Sequence, residues 1–193
     1  MFFEKDCTYH IYNRSNETVF HSRENYLFFL RKVRKHILPF CDVLAYCLMP
    51  NHFHFLLKVN ELGTLPFDKP SKQFVQRLSQ GFATLTSSYT QALNIEIGRK
   101  GSLFSHKTKA ININDARNDY LLRSFIYIHQ NPVKDEIVSK LDEWEFSSYL
   151  DYVGKRNGTL PNVELGLDML QVDKNDIGFI LNNFNRELGD IVF

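Results

Sequence analysis

The sequence predicts an α+β sandwich, in which helices cover an antiparallel sheet. Three kinds of pattern support this fold class. Short runs of β-branched and aromatic residues indicate strands, apolar residues spaced by three and four indicate amphipathic helices, and clusters of Pro, Gly and Asn separate them. The elements follow the order strand, helix, strand, strand, helix, strand, with one further helix. This is the βαββαβ order of the ferredoxin-like sandwich.

The first predicted strand and helix occupy the N-terminal part of the chain. Thr8–Asn13 is rich in β-forming residues, and the polar residues 14–17 that follow it favour a loop. Residues 24–37 repeat apolar side chains at helical spacing, and Pro39 is expected to end this helix. The other face of the helix is strongly basic and carries Arg31, Lys32, Arg34 and Lys35. Such a face favours either phosphate contacts or simple solvation.

Two apolar runs predict a β-hairpin. Val43–Met49 and His52–Val59 are both long enough for a buried strand, and Pro50-Asn51 between them supplies turn-forming residues. We expect this hairpin to lie in the middle of the sheet. The Gly and two Pro of residues 62–70 then predict a loop.

A long amphipathic helix is predicted over residues 71–94, with Ser71 as its N-cap. Its apolar side chains recur every three or four positions and comprise Phe74, Leu78, Phe82, Leu85, Tyr89 and Leu93. The Gly-containing segment 98–102 predicts a flexible basic loop, and a short strand is expected near Lys107–Ile111.

One more helix completes the predicted domain. Asn114 or Asp115 is expected to cap it, and Asn131-Pro132 is expected to end it at about Gln130. We therefore assign residues 1–140 to one domain. Residues 141–193 are expected to form an acidic C-terminal tail with two short helices, packed on that domain.

Charge is distributed unevenly along a chain that is almost neutral overall. The 193 residues carry 23 Lys and Arg, 22 Asp and Glu, and a formal net charge of +1. Residues 1–110 hold 15 basic and 8 acidic residues, a balance of +7, whereas residues 111–193 hold 8 and 14, a balance of −6. The near-neutral total argues against a nucleic-acid partner, but the asymmetry is a recognised sign of a polyanion-binding face. Uneven clustering of solvated charges explains the asymmetry equally well.

Composition excludes several classes of protein. With 44% hydrophobic and 23% charged residues and no low-complexity tract, the chain is neither disordered nor fibrous. No apolar run approaches the roughly 20 residues that span a bilayer, and the acidic start does not fit a signal peptide. The cysteines, at positions 7, 41 and 47, lack the spacing of a disulfide framework or a Cys-rich zinc site. These features favour a soluble cytoplasmic protein that does not contact membranes.

His52 and His54 form the first candidate site. Alternation along the predicted third strand puts both imidazoles on one face, about 7 Å apart, where they can converge on one divalent cation. Two histidines on a half-exposed sheet face are the ordinary alternative, because a His-x-His pattern is short.

Tyr127 and Asn131 form the second candidate site. They are four residues apart and share one helix face, whereas His129 points roughly 160° away and is assigned to packing or substrate contact. A helix stop before Pro132 and a core tyrosine are the alternative. Two His and an amide oxygen on a cation, beside a tyrosine hydroxyl, would suit phosphoryl transfer with a tyrosine nucleophile.

Five segments in the same order make the chain similar to a known family. The resemblance extends from about residue 5 to residue 152, most of the chain, and its segments are His10–Arg14 (HIYNR), Leu48–Leu57 (LMPNHFHFLL), Gly101–Phe104 (GSLF), Tyr127–Val133 (YIHQNPV) and Trp144–Tyr149 (WEFSSY). Together they resemble the REP-associated tyrosine transposases, which belong to the single-tyrosine HUH endonuclease superfamily. The pairing of the Met-Pro-Asn-His-Phe-His block with Tyr-Ile-His-x-Asn-Pro is the most specific part of this resemblance.

The resemblance implies a role for each residue that matches a family motif. His52 and His54 match the HUH ligands of Mg²⁺ or Mn²⁺, and Asn131 matches a third ligand, which is Gln in related insertion-sequence enzymes. Tyr127 matches the nucleophile that cleaves single-stranded DNA next to hairpins and keeps the 5′ end as phosphotyrosine. The family also implies that residues 1–140 adopt the HUH endonuclease fold. It implies a location in the bacterial cytosol, in association with the nucleoid. The protein is expected to be a monomer or a homodimer, and we favour the monomer.

DNA contacts are assigned less directly. The candidates are basic residues after the first strand and around the basic loop, namely Arg14, Arg99, Lys100, Lys107 and Lys109. Ser105-His106-Lys107 departs from the basic or aromatic pair of many relatives, and Gln130 replaces a commoner apolar residue. A non-catalytic hairpin-binding protein derived from such a transposase is the alternative function, and a phosphodiesterase that uses water is a third.

Overall fold

An antiparallel sheet forms the centre of the fold. The computed structural model describes residues 1–67, 74–104, 106–114 and 120–184. Within these ranges the sheet has four strands, β1 (Thr8–Arg14), β2 (Cys41–Met49), β3 (His52–Val59) and β4 (Lys109–Asn112). They lie side by side in the order β2-β3-β1-β4, which is the strand order of a ferredoxin-like sheet. The predicted α+β fold class is therefore confirmed.

Helices lie on both faces of the sheet. The first four are α1 (Arg23–His36), α2 (Glu61–Thr64), α3 (Arg77–Glu96) and α4 (Tyr120–Lys134). Three more follow among the described residues, α5 (Tyr149–Tyr152), α6 (Val163–Leu170) and α7 (Ile177–Asn183). In the part of the chain that the structure describes, no helix combines the length and the apolar character needed to cross a membrane.

Alternation along β3 gives the two faces of the sheet different chemistry. Phe53 and Phe55 point toward α1 and α3 and belong to an aromatic core, where each buried ring contributes roughly 1.5–3 kcal/mol. Leu56 belongs to the second core, which α4 and α7 cover. His52 and His54 share the face of Leu56, so the sheet presents two imidazoles to α4.

The hairpin of β2 and β3 forms as predicted, but its expected central place in the sheet is wrong for β2. Of the two hairpin strands only β3 is internal, because no strand among the described residues lies on the outer side of β2. A later segment of the chain covers this edge instead. The Leu48 amide donates to the Phe146 carbonyl at 2.9 Å, and the Ser148 amide donates to the Tyr46 carbonyl at 3.0 Å. Backbone groups on this edge of β2 therefore have hydrogen-bond partners from a distant part of the chain, which local sequence patterns do not reveal.

Helix α3 begins later than predicted. Its N-cap is Gln76, while Ser71, the predicted cap, lies outside the described residues. The Gln76 side chain accepts from the Phe3 amide at 2.7 Å and donates to the Phe3 carbonyl at 2.8 Å, which holds this part of the chain extended. Phe74 is consequently 64% exposed rather than part of the core.

Helix α4 continues through Asn131-Pro132 to Lys134, so the predicted end at Gln130 is wrong. Pro132 removes one amide donor but lies in the last turn, where the helix loses little. The Asp135 amide donates to the Asn131 carbonyl at 2.9 Å, and this bond closes the helix end. Asn131 is therefore a helical residue on the same face as Tyr127.

The structure also differs from two smaller predictions near the ends of β4. The strand begins at Lys109, two residues after the predicted start at Lys107. Asn114, one of the two predicted caps of the last helix, uses its side-chain oxygen to accept from the Thr8 amide instead. The other predicted cap, Asp115, lies outside the described residues.

The chain after residue 140 packs against the outer edge of β2 and against α4. Trp144 Nε1 donates to the Leu48 carbonyl at 3.0 Å. The Phe146 ring stacks on Tyr26 with a centroid distance of 3.8 Å. The two predicted short helices correspond to α6 and α7, and the boundary between domain and tail stays a prediction.

Candidate active site

The face between β3 and α4 brings four of the predicted site residues together. The imidazole rings of His52 and His54 have centroids 5.0 Å apart and stand at 89° to each other. The Tyr127 ring lies 5.5 Å from His54, again at 89°. The Asn131 side chain is within hydrogen-bonding reach of both His52 and Tyr127. The strand pair His52 and His54 and the helix pair Tyr127 and Asn131 therefore lie close together.

Hydrogen bonds orient two of these side chains. Asn131 Nδ2 donates one of its two hydrogens to the Tyr127 carbonyl at 2.9 Å, which fixes the orientation of the amide and leaves its oxygen and its second N–H for other partners. His52 Nδ1 lies 2.7 Å from Asn51 Oδ1, an acceptor. The Nδ1 atom must therefore carry the proton, and the lone pair of His52 is on Nε2.

His10, the first residue of the family-like segment His10–Arg14, is a site residue to which the sequence analysis gave no role. Its ring is fully buried, and its Nε2 atom lies 2.9 Å from His54 Nδ1. The rings are stacked, with centroids 5.1 Å apart. When His54 donates its Nδ1 proton to His10, the His54 Nε2 atom keeps its lone pair on the site side. The alternation of β1, which puts residues 10, 12 and 14 on one face, was the available signal.

Burial keeps the three histidines of the site neutral at neutral pH. It lowers the pKa of His52 to about 4 and that of His10 to about 3. Burial also holds the pKa of His54 well below its usual range, and the neighbouring His10, His52 and Arg14 lower it further. Neutral imidazole is the form that binds a metal ion.

Tyr127 is half-buried, and its surroundings favour the protonated, neutral hydroxyl. Burial raises its pKa, while the hydrogen bond from Asn131 and the charge of Arg14 act in the opposite direction. The phenol is therefore protonated at neutral pH unless a further positive charge approaches it.

Charged side chains surround this centre. Arg14, a predicted DNA contact, ends β1 directly opposite His52, and its charge acts on His52 and Tyr127. Two charged residues that sequence reasoning missed follow Asn131, Lys134 as the last residue of α4 and Asp135 directly after it. Lys134 Nζ lies 5.5 Å from the Tyr127 ring, and the carboxylate of Asp135 acts electrostatically on His52 and Tyr127. The spacing of four residues from Asn131 was the signal for Asp135.

Three other predicted DNA contacts are exposed lysines. Lys109 lies nearest the site, because its Nζ is 5.6 Å from the Tyr12 ring and that ring is 5.9 Å from His54. Lys107 precedes it on the same segment, and Lys100 lies in the basic loop.

Arg99 is placed differently from the lysines. Its guanidinium donates through Nε to Glu17 at 2.8 Å, through Nη1 to Asn94 Oδ1 at 2.9 Å and to the Gly101 carbonyl at 3.0 Å. Its Nη2 donates to Glu17 and to the Ser102 carbonyl. All five N–H groups are thus engaged in holding the loop, and a phosphate contact would require releasing one of them.

His129 lies in the core, in agreement with its assignment to packing. Its Nδ1 atom is 2.8 Å from the Phe125 carbonyl, and its Nε2 atom is 2.7 Å from Ser148 Oγ. Burial lowers its pKa to about 4. The bond to Ser148 ties α4 to the segment that covers β2.

The donor set fits a divalent cation in its chemistry. Neutral imidazoles are ligands of transition-metal ions, and an amide oxygen is a ligand that also suits Mg²⁺ and Mn²⁺. Among the described residues, no group of three or more His, Cys, Asp or Glu is arranged to hold a metal ion. The amide of Asn131 is outside that set of side chains, so a cation at this place would have a mixed donor set of His and amide groups.

The fold is similar to that of a solved protein. A structure described as a REP-associated tyrosine transposase bound to a REP hairpin superposes with a TM-score of 0.57 and 17% sequence identity. The match covers 80% of this chain and 84% of that one. No family model matches the sequence, and the comparison with curated proteins gives no match. At this identity the likeness establishes a shared fold.

Proposed function

We propose that this protein is a metal-dependent DNA transposase that nicks and rejoins single-stranded DNA next to hairpins through a 5′-phosphotyrosine. The convergence of His52, His54, Asn131 and Tyr127 on one face of the sheet carries the proposal. The shared fold with a transposase supports it, as do the family motifs in the same order along the chain.

Each of these residues has a separate role in the proposed reaction. His52 and His54 would hold Mg²⁺ or Mn²⁺ through Nε2, and Asn131 through its amide oxygen. When bound, such an ion stabilises negative charge at the scissile phosphate. Arg14, opposite His52, is placed to bind and orient a phosphate at the same edge.

Tyr127 would supply the nucleophile. Its hydroxyl loses a proton to solvent, the phenolic oxygen forms a bond to phosphorus, and the bond from phosphorus to the 3′ oxygen breaks. The departing 3′ oxygen takes up a proton. Because the phosphotyrosine keeps the energy of the phosphodiester, a 3′ hydroxyl can reverse the step and join another strand.

The test of this function is a covalent adduct with DNA that depends on metal. We expect a labelled hairpin oligonucleotide with single-stranded flanks to form an adduct in Mg²⁺ or Mn²⁺, and EDTA to abolish it. Hairpin binding that is unchanged in EDTA, with no cleavage in any metal, would favour a non-catalytic binder. Free 5′-phosphate ends without an adduct would favour a phosphodiesterase that uses water.

His10 is expected to act as a positioning residue for His54. Phe at this position keeps a ring but removes the acceptor for His54 Nδ1, and losing such a partner of a metal ligand costs about 10–100-fold in metal affinity. We expect His10→Phe to weaken Mn²⁺ binding by this amount, measured by electron paramagnetic resonance without DNA. His106→Phe, at an exposed histidine, is the matched control. Equal Mn²⁺ affinity in a folded His10→Phe protein would contradict the assignment.

A further inference from the structure

A groove of about 610 Å³ lies between α3 and the segment that leads into β4. Helix α3 packs on the opposite face of the sheet from α4, so this groove is separate from the site at His52 and His54. The two share one end of the sheet, however. Asn13 lines the groove, and Arg14, the next residue of β1, faces the site.

The wall that α3 contributes has an unusual composition for an exposed helix. Between Leu78 and Ile95 the helix carries no charged residue, although the solvent face of a surface helix is normally charged. Ala83, Ser87 and Gln91 line the groove at intervals of four residues, and all three are exposed. Small, hydroxyl and amide side chains let a chain approach closely and can hydrogen-bond phosphates and sugars.

The opposite wall is basic and is held in place by hydrogen bonds. His106 and Lys107 line it, and no acidic residue lines the groove among the described residues. Asn13 Nδ2 donates to the His106 carbonyl and to Thr108 Oγ1, both at 3.1 Å. A preformed groove with positive charge and no negative charge is complementary to an anionic ligand.

A row of cations connects the groove to the site. Lys107 is in the groove, and Lys109, two residues further on, lies beside the Tyr12 ring. Tyr12 in turn stacks near His54. A ligand that follows these residues must turn around the edge strand β4 within a few residues. A single strand can do so, whereas duplex DNA is stiff over roughly 150 base pairs.

We infer that this groove binds the single-stranded DNA that flanks the scissile phosphate. The inference rests on the proposed function, since it extends the path of the same substrate strand. Backbone phosphates contact Lys107 and Lys109, and the uncharged face of α3 receives the sugars and bases.

The test compares two glutamate substitutions on α3. Ser87→Glu puts a carboxylate in the groove, and Ile95→Glu puts one on the same helix outside it, at a position that is 84% exposed. The probe is fluorescein-labelled oligothymidylate, followed by fluorescence anisotropy at low salt. We expect Ser87→Glu to weaken binding about tenfold through repulsion of phosphates, and Ile95→Glu to change it less than about twofold.

A second variant reports on charge directly. Lys107→Ala removes one phosphate contact and should reduce the slope of log affinity against log salt by about 0.7, the value for one contact on a single strand. Equal affinities of Ser87→Glu and Ile95→Glu, an unchanged salt slope, or equally good competition by duplex DNA would each overturn the inference. Wild-type protein that binds oligothymidylate through the groove but forms no adduct would overturn the proposed chemistry and leave the groove intact.

Discussion

Replacing Tyr127 with Phe is expected to abolish the covalent adduct with DNA. The substitution removes the attacking oxygen and keeps the ring that lies 5.5 Å from His54 and 5.5 Å from Lys134 Nζ. We therefore expect a loss of about 10³-fold or more in adduct formation, because covalent catalysis requires the nucleophile.

The matched control is Tyr120→Phe, which makes the same chemical change near the start of α4. Both variants are incubated with labelled hairpin DNA and analysed on denaturing gels, with circular dichroism to verify folding. Tyr120→Phe should form the adduct at the wild-type rate. An adduct of normal yield in Tyr127→Phe would show that another residue is the nucleophile.

Acidification is expected to unfold the protein steeply between about pH 6.5 and pH 4. Four buried histidines carry a lowered pKa in the folded state, and they are His10, His52, His54 and His129. The ordinary pKa of histidine is about 6.5, so below that value the unfolded chain binds protons that the folded protein excludes. The stability that these groups contribute is fully present above pH 6.5 and is lost as the pH falls.

The size of the effect follows from the number of buried imidazoles. Each contributes about 1.4 kcal/mol for every pH unit below 6.5, so four contribute on the order of 5 kcal/mol per unit, against a typical total of about 5–15 kcal/mol. Urea unfolding at pH 7, 6 and 5 measures the slope. His129→Gln should reduce it by about a quarter, whereas a folding free energy that is constant from pH 7 to pH 5 would contradict the neutral burial of these rings.

The parts of the site that sequence predicted are those whose geometry is local. His52 and His54 share a face because strands alternate, and Tyr127 and Asn131 share one because helices repeat every 3.6 residues. Both relationships join residues that are only two or four positions apart in the chain. The helix had to continue through Pro132 for the second pair to face the sheet, and it does so because the proline falls in the last turn.

The parts that sequence missed depend on pairing between distant segments. His10 meets His54 across 44 residues through the register of β1 on β3, and one sequence contains no sign of that register. Gln76 delays the start of α3 because it binds Phe3, 73 residues away. The engagement of Arg99 by Glu17 is likewise a contact between distant loops. The sequence shows that Arg99 is charged, but it does not show which distant residue will pair with it.

The most direct test of the central claim is to identify the residue that is bonded to DNA. The protein is incubated with a hairpin oligonucleotide and Mn²⁺, the adduct is digested with protease and nuclease, and the modified peptide is sequenced by mass spectrometry. The proposed chemistry predicts a nucleotide linked through its 5′ phosphate to Tyr127, in the peptide that contains Asn131. Linkage to any other residue, or cleaved DNA with no modified peptide, would contradict it.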